Sequence, residues 1–452
     1  MTGPHYPPTR ARFGWILFDW STQPFFTLVT TFIFAPYFTS AVVHNPAQGQ
    51  ALWGYATGFA GLCIALLSPV LGSMADASGP RKPWIALFGA FLFTGCAMLW
   101  FAVPGSPYAI LFGLLGYVIA TLGAEFATVF NNAMMPTLAP PEKLGRLSGT
   151  GWAVGYIGGL ISLVIALAFL ATDPDTGKTL LGNHPAFGLD VASRAGDRAS
   201  GPFAALWFLV FVLPLFFFTP DVPKTGLKLR AAMQDGLASL RAALRGLRHE
   251  TNLARFLLAN MIYADGLAAL FAFAGIYAAG VFGWGSMQIG IFGILLTITA
   301  TLGAWIGGKL DDRLGPAPVI LFSLCVLILA SIGIVGTGRD VALYVFAVPS
   351  PDMVSGLFSS ASEKVYVGLG LLIGVVAGPL QAASRTLLIH LSKPDRIGQN
   401  FGLFALSGKV TSFLGPTLVA SVTAFTASQR AGVAVLIAFF AVGLVLVARV
   451  RR

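Results

Sequence analysis

The sequence predicts an all-α membrane protein with twelve transmembrane helices in two pseudo-symmetric six-helix bundles. Three observations lead there. Of 452 residues, 56% are hydrophobic and 10% charged, whereas water-soluble chains carry roughly a quarter charged residues. The apolar residues fall in runs of about 20, the length a helix needs to cross a bilayer, and mean hydropathy is +0.79. Finally, two loop motifs of the first half recur in the second.

Helices are chosen over strands because lipid offers no partner to an unpaired backbone amide and the alternating pattern of a β-barrel is missing. The first six runs lie near 14–38, 51–74, 83–103, 108–135, 147–171 and 203–218. The second six lie near 253–282, 286–308, 317–337, 364–391, 398–425 and 431–448. The first run is too long for a cleaved leader and lacks a small-residue cleavage site, so it is expected to be kept as a span. Gly54 and Gly58, then Gly151, Gly155 and Gly159, then Gly303 and Gly307, form small faces that allow close helix approach. Gly378-Pro379 and Gly415-Pro416 are expected to kink spans ten and eleven. Cys63, Cys96 and Cys325 all sit in apolar runs, so neither a disulfide framework nor a zinc site has spacing to support it, and they read as packing residues.

Orientation follows from Lys and Arg, which collect on the cytoplasmic side of short loops. With the N-terminus inside, 20 of the 28 basic residues fall on inside segments, 6 on outside loops and 2 within spans. Both termini are therefore expected in the cytoplasm, in a multi-pass protein of the cell's inner membrane. The net charge of +10 is then mostly a topology signal, and nucleic acid is not an expected partner. The basic cluster from Lys224 to Arg255 carries Met233, Leu237, Leu240, Leu244 and Leu247 at helical spacing, the pattern of an amphipathic helix on the inner surface. It divides the chain into a first bundle at 1–218, a linker at 219–252 and a second bundle at 253–452.

Two loops match between the halves. Pro141-Glu142-Lys143-Leu144-Gly145-Arg146 returns as Pro394-Asp395-Arg396-Ile397-Gly398-Gln399, offset by 253. Gly72-Ser73-Met74-Ala75-Asp76-Ala77-Ser78-Gly79-Pro80 returns as Gly308-Lys309-Leu310-Asp311-Asp312-Arg313-Leu314-Gly315-Pro316, offset by 236. A six-plus-six repeat is the plan of transporters that hold a substrate near the bilayer midplane between two bundles.

The pattern Gly72-x-x-x-Asp76-x-x-Gly79-x-Arg81-Lys82 resembles the signature loop of the major facilitator superfamily. Trp15-Ile16-Leu17-Phe18-Asp19-Trp20, Phe32-Ile33-Phe34-Ala35-Pro36-Tyr37-Phe38, Leu67-Ser68-Pro69-Val70-Leu71-Gly72 and Tyr263-Ala264-Asp265-Gly266 resemble the vacuole-effluxer-like branch. That branch typically reads Asp-Trp-Ala-Asn-Ser-Ala-Phe where this chain has Asp19-Trp20-Ser21-Thr22-Gln23-Pro24-Phe25. The resemblance implies a secondary transporter, with gating by Asp76, Gly79, Arg81, Lys82, Asp312 and Arg313. Asp76 and Asp312 are expected near helix N-termini of the opposite bundle, where a carboxylate is favoured by about 0.3–1 kcal/mol. It also implies that spans one, four, seven and ten line the cavity, and that the cargo is a small metabolite, amino acids first, as for the branch's eukaryotic members.

Charge within the bilayer costs at least about 2.5 kcal/mol per residue, so ionisable groups there are kept for pairing or function. Spans one, four, seven and ten carry one each, namely Asp19, Glu125, Asp265 and Arg385, and Lys409 lies in span eleven. Glu125, Asp265 and Lys409 fall near the middle of a core about 30 Å thick, while Asp19 and Arg385 lie only about 7 to 9 Å in at 1.5 Å per residue. Glu125 reads either as half of an ion pair with Lys409 or Arg385, or as the carboxylate that takes and releases the coupling proton. Asp19 and Asp265 are secondary proton sites, although Tyr-Ala-Asp-Gly also suits a helix break at Asp265. The planar donor fork of Arg385 suits a substrate carboxylate. With it, Gln23, Asn131, Asn132, Asn260, Tyr263, Gln381, Ser384 and Lys409 complete a candidate zwitterion site, each also being a common helix–helix hydrogen-bonding residue.

No nucleotide loop fits: Thr172 stands where the first glycine belongs, and Gly402 to Lys409 has the wrong spacing. The acidic outer loop with Asp173, Asp175, Asp190 and Asp197 lacks calcium-loop spacing. Metal and cofactor are therefore expected to be absent, and no nucleophile–base set suggests an enzyme. The expected partners are a small-molecule substrate, the proton and the lipid bilayer, around a monomer. Drug or lipid efflux is a second transport reading, and a non-transporting receptor or assembly partner is the rival from another class.

Overall fold

A computed structural model describes residues 6–43, 46–172, 176–223, 225, 238, 245–246, 250–284, 286–349, 357–409, 411–426 and 428–450. Side chains at 46, 47, 50, 51, 276, 279, 286, 287, 409 and 424 are outside that description. Most of the expected amphipathic helix in the linker, together with Asp173 and Asp175, also lies outside the described residues.

Among the described residues, eleven helices are long and apolar enough to cross a membrane. The first half comprises α1 (Thr9–Pro24), α2 (Pro46–Ser78), α3 (Lys82–Met98), α4 (Ala109–Met134), α5 (Leu144–Phe169) and α6 (Ala195–Phe218). The second comprises α7 (Thr251–Phe282), α8 (Ser286–Leu314), α9 (Pro316–Val335), α10 (Ala361–Leu391), α11 (Ile397–Lys409), α12 (Leu414–Thr426) and α13 (Gln429–Ala448). A two-stranded ribbon pairs Val341–Ala342 with Phe346–Ala347 between α9 and α10.

Three expectations are corrected. The eleventh run is two helices, α11 and α12. Pro416 has no N–H to offer the carbonyl of Ser412 and stands in the first turn of α12, where none is required, and before it Leu414 N bonds Thr411 O at 2.7 Å. Asp265 and Gly266 do not break α7, which runs through them. Gly54 and Gly58 make no close helix approach, since added Cβ atoms there would meet nothing within 4 Å.

The first span continues beyond α1 in wide π-helical turns at Phe25–Phe32 and Phe38–Val42. Pro24 explains the first of these. It lacks the N–H that would bond the carbonyl of Trp20, and Trp207 Nε1 donates to that carbonyl at 3.1 Å instead. The indoles of Trp20 and Trp207 also stack, with centroids 5.6 Å apart. Trp207→Phe keeps the ring but removes the donor, so it should destabilise the protein by about 1 kcal/mol. Thermal unfolding in detergent checks this, and an unchanged midpoint would count against it.

α6 starts eight residues before the expected span because the charges at its start find partners close by. Arg194 Nε bonds Asp197 at 2.7 Å, and Arg198 donates to Trp100 O at 2.9 Å while its guanidinium lies 4.8 Å from the Trp100 ring. In the loop before it, hydrogen bonds from Ser193 and Ala192 hold the exposed Asp190 below the usual carboxylate range.

The chain forms two compact units. The first contains Met1–Pro140, Val154–Leu240 and Asp395–Ala405; the second contains Pro141–Ala153, Arg241–Pro394 and Leu406–Arg452. Each thus includes one short segment from the other half of the sequence: the start of α11 belongs to the first unit, and the start of α5 to the second.

Candidate functional site

In the first unit, the N-terminus of α11 is capped by a residue more than three hundred positions away. Asp76, in the last turn of α2, accepts the backbone N–H of Gly398 at 3.0 Å and of Gln399 at 2.7 Å. These are among the first amides of α11, which have no partner within their own helix, and the positive end of the helix dipole favours the carboxylate. Gln399 Nε2 adds a bond to Ser73 Oγ at 3.0 Å. The backbones touch because glycine stands where they meet: a Cβ on Gly72 would overlap the Gly398 carbonyl, and one on Gly402 the Ser68 carbonyl.

Asp76 is held from behind by Arg81, which pairs with it and donates to the carbonyls of Ala75 and Gly79. Gly79, at φ +94, makes the turn that brings Arg81 back. Asp221 accepts the backbone N–H of Arg81 at 2.8 Å and of Lys82 at 2.9 Å, and Lys82 Nζ donates to Phe216 O at 2.9 Å.

The second unit repeats the arrangement with the repeated residues. Asp312, at the 236 offset from Asp76, accepts the backbone N–H of Arg146 at 2.9 Å, and Arg146 lies at the 253 offset from Gln399. The Arg146 side chain adds an ion pair at 3.3 Å. A Cβ on Gly145 would come within 2.5 Å of Asp311 Cβ, and one on Gly308 within 2.6 Å of Gly145 O. Arg313 is exposed.

Arg385 is 3% exposed and braces the same helix start. Its Nε donates to Ser148 Oγ at 3.1 Å and its Nη2 to Ser148 O at 3.0 Å, while Ser148 Oγ donates to Ala382 O at 2.8 Å. Its guanidinium lies 5.2 Å from the Trp152 ring centroid.

The remaining polar residues divide between the units. In the first, Asp19 and Gln23 lie on α1 against α5, where Cβ atoms on Gly155 and Gly159 would come within 3.3 Å of Asp19 Cβ and 2.7 Å of Gln23 Cγ. Glu125 is half-buried on α4. Asn131 is fully buried; its carbonyl accepts Trp15 Nε1 at 2.7 Å, and neither polar atom of its side chain makes a hydrogen bond among the described residues. Asn132 is also buried.

In the second unit, Tyr263 and Ser384 share a hydrogen bond of 2.7 Å, linking α7 to α10, and Asn260 Nδ2 donates to Ser407 Oγ at 2.9 Å, linking α7 to α11. Gln381 Nε2 bonds Ala377 O at 3.2 Å within α10. Asp265 is 2% exposed, and its Oδ1 accepts no hydrogen bond among the described residues. Lys409 ends α11, with its side chain outside the described residues. Sequence reasoning missed Ser73, Ser148 and Asp221. The repeats carry no signal for them, because the equivalents of Ser73 and Ser148 are Lys309 and Phe401 and Asp221 falls outside both matched loops.

Comparison with known proteins shows the family and the fold. A family profile described as vacuole effluxer Atg22 like matches residues 41–452. A MFS-type transporter of Bacillus subtilis, YxiO, is 25% identical over 450 residues, covering 97% of this chain and 94% of that protein. Autophagy-related protein 22 of Cryptococcus neoformans is 25% identical over 312 residues, 68% of this chain and 50% of that protein. Among solved structures, the human organic anion transporter MFSD10 aligns with a TM-score of 0.70 at 16% identity, over 97% of this chain and 100% of that one. The transporter FucP in its outward conformation aligns with a TM-score of 0.71 at 15% identity, over 98% of each chain.

Proposed function

The chain belongs to the vacuole effluxer Atg22 like family, and on that premise we propose a proton-coupled carrier of small zwitterions, amino acids first, working by alternating access. That it is a multi-pass transporter of the major facilitator superfamily, not an enzyme, follows from the family and its relatives. The cargo, the coupling ion and a place in the cell's inner membrane with both termini inside are the proposed part.

The observation that carries the reading is the pair of matched interlocks, Asp76 on the start of α11 and Asp312 on the start of α5. Bonds of this kind are charge-assisted yet involve few groups, so they suit a contact that forms in one state and parts in another. Asp76, Gly79, Arg81, Lys82, Asp312 and Arg313 are the gating residues in this account. The bundles at 1–218 and 253–452 are the bodies that rock.

Glu125 serves as the coupling carboxylate, with Asp19 and Asp265 as secondary proton sites. Arg385 binds the substrate carboxylate when Ser148 releases it. Gln23, Asn131, Asn132, Asn260, Tyr263, Gln381, Ser384 and Lys409 supply the remaining polar contacts. An acid, a base and neutral hydrogen-bonding groups together suit a zwitterion better than the hydrophobic cargo of a drug pump.

Counterflow of radiolabelled amino acids into proteoliposomes preloaded with unlabelled compound tests the reading. Saturable uptake of at least one amino acid is expected. Uptake of hydrophobic drugs alone would favour the efflux alternative, and no uptake of any solute would favour a non-transporting partner. Arg385→Ala should weaken carboxylate-bearing cargo at least tenfold more than cationic cargo. Equal loss for both would leave Arg385 only its brace on Ser148.

A further inference from the structure

The interruption of the eleventh span lies against α7, midway along that helix and inside the second unit. Asn260 Nδ2 holds Ser407 Oγ, in the last turn of α11, at 2.9 Å. A Cβ on Gly415, in the first turn of α12, would come within 2.7 Å of the Asp265 carbonyl oxygen and 3.1 Å of Ala269 Cβ. Thr411 falls between these two contacts in the chain, and its hydroxyl faces the Asp265 carboxylate.

Two buried oxygens are left over at this point. Asp265 is 2% exposed, and neither its Oδ1 nor Thr411 Oγ1 completes a hydrogen bond among the described residues. A carboxylate withdrawn from water without a partner is costly, and an ionisable group retained inside a span marks the path of an ion.

The helix ends beside it supply the complementary field. The last carbonyls of a helix have no amide partners of their own, and a helix C-terminus favours a cation; α11 ends two residues before Thr411. α12 starts against the backbone of Asp265, and a helix N-terminus favours a carboxylate in its ionised form.

One carboxylate, one hydroxyl and helix-end carbonyls make an all-oxygen set with a single negative charge. Divalent cations are held by more ligands than this, several of them carboxylates, and no group of three His, Cys, Asp or Glu side chains among the described residues is placed to hold a metal ion. A monovalent ion balances the charge of the set. Broken helices whose carbonyl ends coordinate such an ion near the bilayer midplane recur among secondary transporters.

We propose that Asp265 and Thr411 bind one alkali cation at the break between α11 and α12. This goes beyond the transport reading, in which Asp265 takes up a proton: cation and proton compete for the same carboxylate.

Binding of radioactive sodium to the detergent-purified protein, measured by scintillation proximity with no cargo present, tests the site apart from transport. Its failure leaves the carrier reading standing, and failure of the carrier reading leaves the site standing. Saturable binding of one ion per chain is expected, displaced by unlabelled sodium chloride and not by choline chloride. Asp265→Asn should weaken it more than tenfold and Thr411→Val at least threefold, whereas Gly58→Ala on α2 should leave it unchanged. Absence of saturable binding, displacement by choline, or undiminished binding by either site variant would each overturn the assignment. The first of these results would return Asp265 to a proton or to the Lys409 that ends α11. Melting curves establish that the variants are folded; should Asp265→Asn fail to fold, Thr411→Val, which removes a hydroxyl and keeps the shape of the side chain, decides the matter.

Discussion

Glu125→Gln is expected to abolish substrate-driven proton movement while leaving substrate exchange intact. Glutamine keeps the size and hydrogen-bonding reach of glutamate but cannot release a proton. A cycle that must load and unload a proton then stops, whereas exchange, which returns the carrier without changing protonation, continues. Glu125 is half-buried on α4, and the sequence expects it near the middle of span four, where a permanent charge would be costly. Proton flux measured beside counterflow in one vesicle preparation separates the two activities. If both survive, the coupling role passes to Asp19 or Asp265; if both vanish together, Glu125 is a packing or pairing residue.

Gly72→Ala should lower net transport more than tenfold, because its new methyl group would overlap the carbonyl of Gly398. The neighbour is backbone, so no rotamer change relieves the clash, and the start of α11 must move off Asp76. The bonds to Gly398 and Gln399 then lengthen together. Gly58→Ala on the same helix is the control, since nothing lies within 4 Å of its added Cβ. Gly145→Ala, within 2.5 Å of Asp311 Cβ, should act in the same direction at the second interlock. Equal activity of the Gly72 and Gly58 variants would show that close approach at the interlock is not needed for turnover.

The fold was legible because membrane helices announce themselves by length and polarity, and most expected spans fall within a few residues of the observed ones. Interruptions were harder to read, because proline has different consequences by position. Pro379 sits inside an unbroken α10, Pro416 falls in the first turn of a new helix, and Pro24 releases a carbonyl that Trp207, far along the chain, takes up. Sequence alone does not show which distant donor is available. Charged residues misled at α6, where Arg194, Asp197 and Arg198 read as loop until the Arg194–Asp197 pair and the hold of Arg198 on Trp100 are seen.

At the interlocks, the repeated loops identified Asp76 and Asp312 and the kind of partner each would meet. The amides they bind belong to the other repeated loop, which pairing of the two offsets makes intelligible. Arg385 illustrates what remained hidden. Its burial and charge marked it as important, but its hold on Ser148 depends on the start of α5 packing with the second unit, which no local pattern encodes.

The most direct test of proton-coupled zwitterion transport is internal pH in dye-loaded proteoliposomes challenged with an amino-acid panel, wild type beside Glu125→Gln. The account predicts a pH change with at least one amino acid in the wild type and none in the variant. Substrate uptake without any pH change in the wild type would contradict it.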